Sequence, residues 1–313
     1  MIRKLTFIAM AFVALMTLHA PAYAASEGKM KPFILASKGA GALDSIFAST
    51  TAKLQSAGFQ IVGNYMPYTG AAVIIVTSDA LKAAASKSEF GAYGIAQRVA
   101  VTQHGGEIQV AYTNPTYMAS AYRMSDNMAS VSKALGTALG DQGEFGSEEG
   151  LDDGDLRDYH YMFMMPYFDD PNLLGSAKSH QEMVERIEAN LAKGVSGTTM
   201  VYRIDVPGKE ETVFGVGLKG NGEAEHEKDD AWIMSEIDFK DLRSTAHLPI
   251  EIVVSGKKAW ALDSKFRIAI NFSDLSMSGD NSFMNIMGSP GAIQEALTVV
   301  SGGKFKGEGQ YAD

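Results

Sequence analysis

The chain has no cysteine among its 313 residues. That excludes thiol catalysis, iron–sulfur clusters, c-type haem attachment and cysteine-based zinc sites. It also excludes disulfides, which only small exported domains depend on. A chain of this length buries a sufficient core without them. Positive charge is short as well: 27 Lys and Arg against 37 Asp and Glu leave a net charge of −10. Nucleic-acid binding demands the opposite sign. Familiar catalytic signatures are missing too, since there is no G-x-S-x-G, H-E-x-x-H, Walker loop or dinucleotide fingerprint. "VSGKKA" reads as a hairpin turn, and "GVGLKG" sits inside a strand with no helix behind it. The apolar run from Leu5 to Leu18 is fourteen residues long, short of the ~20 that cross a bilayer comfortably.

That run sits in an export signal. Arg3 and Lys4 precede it, and "AYA" follows with Ala22 and Ala24 at the small-residue positions of a cleavage site. Residues 1–24 therefore read as a secretory signal peptide cleaved after Ala24, with an uncleaved anchor as the alternative. Cleavage leaves 289 residues and, by removing Arg3 and Lys4, takes the net charge from −10 to −12. The expected destination is the periplasm. The acids cluster in "DQGEFGSEEGLDDGDLRD", 141–158, and in "GEAEHEKDD", 222–230, both read as solvated loops.

An internal repeat organises the rest. "GEIQVAYTNPTYM", 106–118, is matched to "KFRIAINFSDLSM", 265–277, each read as an alternating strand running into a polar turn and a methionine. Met128 and Met287 follow at the same spacing, then the helical patterns "ASVSKALGTALG" and "SPGAIQEALTVV". Upstream, "AQRVAVTQHGG" pairs with "HLPIEIVVSGK", and the helices "SDALKAAASK" and "DFKDLRSTA" precede them. Before those come strand pairs turning at Pro67 and Pro207, and amphipathic helices closed by Gly58 and Gly194. The pattern predicts an α+β chain of two tandem repeats, each an antiparallel four-stranded sheet with helices on one face, together forming a pseudo-dimer. The expected division is a first repeat over 25–145, an acidic linker over 146–157 and a second repeat over 158–313.

The stretch "HLPIEIVVSGKKAWALDSKFRIAINFSDL" resembles the bacterial domain of unknown function 302 family, in which Leu-Pro precedes a strand and a second strand ends near Asp-Pro. "QRVAVTQHGGEIQVAYTNPTYM" fits the same frame with Asn114-Pro115. The first copy has Ile95-Ala96 in place of Leu-Pro, and the second has Asp274-Leu275 in place of Asp-Pro. The resemblance implies a fold like that of the TATA-binding protein, with helices on a curved antiparallel sheet. It implies no activity and no catalytic residues.

Candidate site residues come from composition. "DYHYMFMMPYF", 158–168, is too apolar for an exposed tether and is expected to be buried between the repeats. Alternation sets His160, Met162 and Met164 on one side of it. Thioethers beside a histidine suit copper(I), so these three are the candidate metal ligands, against a packing role for a flexible core filler. Tyr117, Tyr122 and Arg123 could hold an anion, or the arginine could simply snorkel past an aromatic neighbour. His247 and Glu251, four residues apart, could form a histidine–carboxylate pair. With Tyr161 and His160 these complete the candidate ligand-binding set. His226 and "LDDGDLRD" have carboxylates without the spacing of a calcium loop. The expectation is an exported binding or accessory protein, not an enzyme, with a small-molecule or metal ligand in the crevice between the repeats. Periplasmic copper handling and a hydrolase or isomerase using His247, Glu251 or Arg123 are the alternatives. The chain is expected to act as a monomeric pseudo-dimer or as a homodimer.

Overall fold

The computed structural model describes residues 28–307; the expected signal peptide and its cleavage point lie outside them. The first half runs β1 (Phe33–Gly39), α1 (Leu43–Ser56), β2 (Gln60–Tyr65), β3 (Ala71–Thr77), α2 (Asp79–Ser86), β4 (Gln97–His104), β5 (Glu107–Thr113), α3 (Pro115–Ala121) and α4 (Ala129–Leu139). The two-residue strand β6 (Glu144–Phe145) and the short helix α5 (Asp153–Arg157) follow. The second half runs β7 (Asn172–Ser176), α6 (His180–Ala192), β8 (Thr198–Asp205), β9 (Glu211–Leu218), α7 (Asp230–Ile237), β10 (Ile250–Ser255), β11 (Lys258–Ala261), α8 (Ser264–Ala269) and α9 (Ser289–Val300).

The two halves share one topology. The sheet orders are β2-β3-β4-β5-β1-β6 and β8-β9-β10-β11-β7, with antiparallel neighbours throughout. Even the bulges correspond. Val62 in β2 and Val201 in β8 are the extra residues of the two edge strands. Ala36 in β1 and Leu174 in β7 are those of the opening strands. The chain is α+β, but each half contributes five strands in this shared order instead of four. The additional strands, β1 and β7, open each half and reach the far side of the sheet to pair with β5 and β11.

Alternation explains how the sheets stack. In β9, Phe214, Val216 and Leu218 join a core with Met183, Ile187 and Leu191 of α6 and Ile293, Leu297 and Val300 of α9. The opposite face carries Val213, which belongs to the core of the first half. In β10 the same split puts Ile252 and Val254 under the helices and Val253 on the other side. The sheets therefore face one another, and helices cover their outer faces. This is why β3 is buried at every position: both faces of the strand are covered, so its apolar run "AAVIIV" is continuous.

Helix starts follow capping chemistry. Ser78 accepts from Leu81 N–H, Ser179 from Glu182 N–H, and Asp229 from Ala231 and Trp232 N–H. Asn114 caps α3, with Pro115 at the first helical position, where its missing N–H costs nothing.

Three sequence expectations are corrected here. "KFRIAI", expected as a strand, is helix α8. Asp263 caps it by accepting from Lys265 N–H, and local capping outweighs a short alternation that also fits one helical turn. The strand of the second half that holds the place of β5 is β11, only four residues long. The repeat match of 106–118 to 265–277 therefore shifts: Asn114 and Asp263, both helix caps after the last strand, correspond. The expected helix at 238–246 is also absent. α7 lies just before it, over Asp230–Ile237, and 238–244 is irregular.

Candidate functional site

The seam between the sheets holds a buried ionic centre. Glu251 of β10 lies two residues from Val253, on the same face, and so points at the first sheet, where Arg98 of β4 meets it. Arg98 NH1 donates to Glu251 Oε1 from 153 positions away in the chain. Arg267 of α8 donates from Nε to Glu251 Oε2 at 3.1 Å, from NH1 to His247 Nδ1 at 3.0 Å and from NH2 to the His247 carbonyl at 2.7 Å. All four residues are no more than 3% exposed. Burial, then the charges of Arg267 and Arg98, hold His247 well below its usual pKa. It is neutral and accepts at Nδ1. His247 and Glu251 are thus both held by the Arg267 guanidinium, which lies between them and away from solvent.

Two crevices open along the same seam, one on each side of Asp238 and Phe239. The larger has a volume of about 670 Å³. The first half contributes Lys31 and Phe145 to Glu148; the second contributes Ile237 to Leu242, Ser244, Phe272, Asp274 and Leu275. The smaller, of about 500 Å³, lies between Tyr68, Thr102 and His104 of the first half and Met234, Asp238 and Arg243 of the second. Asp238 is 4% exposed and Phe239 is 48% exposed, so a buried carboxyl and an open aromatic ring stand side by side. Burial pushes the Asp238 pKa up to about 7 against the lowering effect of the Ser244 N–H, which it accepts with both oxygens at 2.9 and 3.1 Å. Thr245 Oγ1 accepts from Thr102 Oγ1 and pairs with the Tyr68 hydroxyl, both at 2.9 Å. Gln109 bridges to Asp241 O and Arg243 N at 2.6 and 2.9 Å. These bonds fix the irregular segment 238–244 against the first half.

The other expected site residues are placed apart from the crevices. Tyr117 is buried and its hydroxyl donates to Ile270 O at 2.7 Å. Tyr122 is buried and tilts against Tyr93 and stacks on Phe168. Arg123 pairs with Asp169 at 2.7 Å and donates to Arg157 O at 2.6 Å, so it ties the connecting segment to α3. The stretch 158–168 was expected to be buried and extended. Instead it turns back on itself: Met165 N–H donates to Met162 O at 2.9 Å, and Met164 takes a left-handed φ of 67°. Phe163 and Met164 are each 88% exposed and Met162 is 42% exposed, whereas Phe168 is buried. His160 packs its ring on Tyr167, and its Nδ1 is buried without a protein partner. Tyr161 donates to Leu275 O. Among the described residues no group of three or more His, Cys, Asp or Glu is arranged to hold a metal, and no helix is long and apolar enough to cross a membrane.

Asp230 is a second buried carboxyl on the seam. Its Oδ2 accepts from Tyr65 OH at 2.6 Å and from Leu218 N–H at 2.9 Å, while Oδ1 is buried without a partner. Burial raises its pKa to about 7, above the value of an unfolded carboxyl. The folded state then binds the extra proton, so this group contributes stability at low pH and loses it as pH rises through about 7. Asn in its place keeps an acceptor at Oδ2 and sets its NH2 where the proton sits. The stability of Asp230→Asn should therefore vary with pH less steeply than that of the parent, by about 1.4 kcal/mol per unit between pH 5 and pH 7. Urea titrations at four pH values measure this, and parallel slopes would refute it.

No known family profile matches the chain, and no curated protein matches it. Among solved structures, the chain is similar to one titled "Crystal structure of uncharacterized conserved protein DUF302 from Bacillus stearothermophilus". The match has 13% identity and a TM-score of 0.31, and covers 34% of this chain and 94% of the other.

Proposed function

We propose that this protein binds a small molecule in the crevice between its two halves and does not transform it. The observation that carries the proposal is the crevice of about 670 Å³, walled by both halves and floored by apolar side chains beside a few convergent polar groups, the usual make-up of a ligand site. The matching topologies and bulges support reading the halves as divergent copies, one chain serving as a pseudo-dimer. The basic start, apolar run and "AYA" of residues 1–24 support export to the periplasm, where such a protein would act as a carrier or accessory factor. The histidine–carboxylate pair offers less to an enzyme, because His247 and Glu251 are engaged by Arg267 and closed to substrate. Copper handling would rest on His160, but Met162 and Met164 lie outward in their turn.

Nile red, a neutral dye that fluoresces in apolar surroundings, tests the site. It should bind at one site per chain. Phe239→Arg fills the crevice from an already exposed position and should weaken binding at least tenfold without lowering the melting temperature. No binding by the parent chain, or equal binding by the variant, would reject the crevice.

A further inference from the structure

We propose that the crevice takes an organic cation, an alkyl- or arylammonium whose apolar part lies on Phe145, Phe239 and Phe272 and whose ammonium faces Asp238 and Ser147. The inference rests on the crevice being the binding site and adds the chemical class of its ligand.

Charge gives the first argument. The larger crevice is lined by four acids, Glu148, Asp238, Asp241 and Asp274, and by two bases, Lys31 and Lys240. Both lysines are already engaged. Lys240 pairs with Asp274 at 3.3 Å, and Lys31 Nζ donates to Glu148 O at 2.8 Å. An entering anion would sit among more carboxylates than ammonium groups, on a chain of net charge −10. A cation meets the opposite field.

The walls give the second argument. Phe145, Phe239 and Phe272 line the crevice together with Leu242 and Leu275. Aromatic faces attract ammonium groups as well as apolar chains, and Phe239 is exposed where a ligand would lie.

The third argument is an unused polar atom. Ser147 lines the crevice at 8% exposure, and its Oγ has no partner. A buried hydroxyl left without a hydrogen bond is costly, and an ammonium N–H supplies one that Oγ can accept. Asp238 has capacity left as well. Each of its oxygens accepts from Ser244 N–H, yet a carboxylate has about four acceptor directions.

The test uses the parent chain with Nile red bound, at pH 8. Three competitors share a phenyl ring and a two-carbon arm: phenethylamine, 3-phenylpropionate and phenethyl alcohol. The amine should displace the dye at a concentration at least tenfold below either of the others. Ser147→Ala and Asp238→Asn should each narrow that gap. The carboxylate or alcohol displacing as well as the amine would overturn the cation class, and so would failure of all three. In either case dye binding that is lost in Phe239→Arg would leave the crevice itself standing. A dye that never binds removes the crevice and the cation with it.

Discussion

Replacing Glu251 with alanine should cost about 3–5 kcal/mol and lower the melting temperature by roughly 10 °C. The size follows from what is left behind. Arg98 and Arg267 are 3% and 1% exposed, and their carboxylate partner would be gone. Two guanidinium groups would then face each other across the seam with no counter-charge. A buried ion pair contributes little when compared with a well-packed apolar substitute, but removing one partner is severe. The second variant therefore matters as much as the first. Arg98→Met in the Glu251→Ala background removes one stranded charge, and Arg98 Nε has no partner to lose. The double variant should recover part of the loss, making the two substitutions non-additive. Thermal melts by circular dichroism measure both. A loss under 1 kcal/mol for the single variant, or simple addition in the double, would mean that the centre does not bind the halves.

Gly63→Ala is expected to cost about 2–3 kcal/mol, at the upper end of overpacking penalties. A Cβ built on Gly63 lies 2.2 Å from the Val201 carbonyl oxygen. That atom belongs to the backbone of the other half and cannot turn away. Gly63 follows the bulge of β2 at Val62, and Val201 is the bulge of β8, so the two edge strands cross where each is kinked. A bulge increases local twist and re-aims a strand, which lets the backbones touch there. Gly39→Ala is the control, because a Cβ at Gly39 meets nothing within 4 Å and its cost should stay within ±0.5 kcal/mol. Equal melting temperatures for the two variants would show that the strands do not cross this closely.

The seam was only half legible in the sequence. The order of elements came through because amphipathic helices and alternating strands carry their period in a single stretch of chain. The closing strand of the second half did not, because "KAWA" is too short to show a period, and "KFRIAI", three residues further on, alternates more clearly while folding as a helix. His247 and Glu251 were singled out by their spacing, though Arg267 stands between them. Arg98 and Arg267 were not, since an arginine inside "QRVAVT" or "KFRIAI" reads as solvent-facing until a carboxylate arrives from the other half. The signal for Arg98 was present but faint: Arg98, Ala100 and Thr102 share one face of β4, and Arg98 and Thr102 contact the second half. The crevice left almost no mark, because Asp238, Phe239 and Ser147 lie in irregular segments placed by distant contacts. The segment 158–168 misled for a physical reason. Its composition demands burial, yet Phe163 and Met164 are displayed at a turn, while the buried part is carried by Pro166 and Phe168.

The most direct test of the crevice is a crystal structure of the chain after soaking with a set of small neutral and charged aromatic fragments. Bound fragments should gather beside Phe239, touching residues of both halves, with amines over-represented among them. Fragments found only elsewhere, such as on the exposed Met162–Met164 turn, would contradict a binding site at the seam.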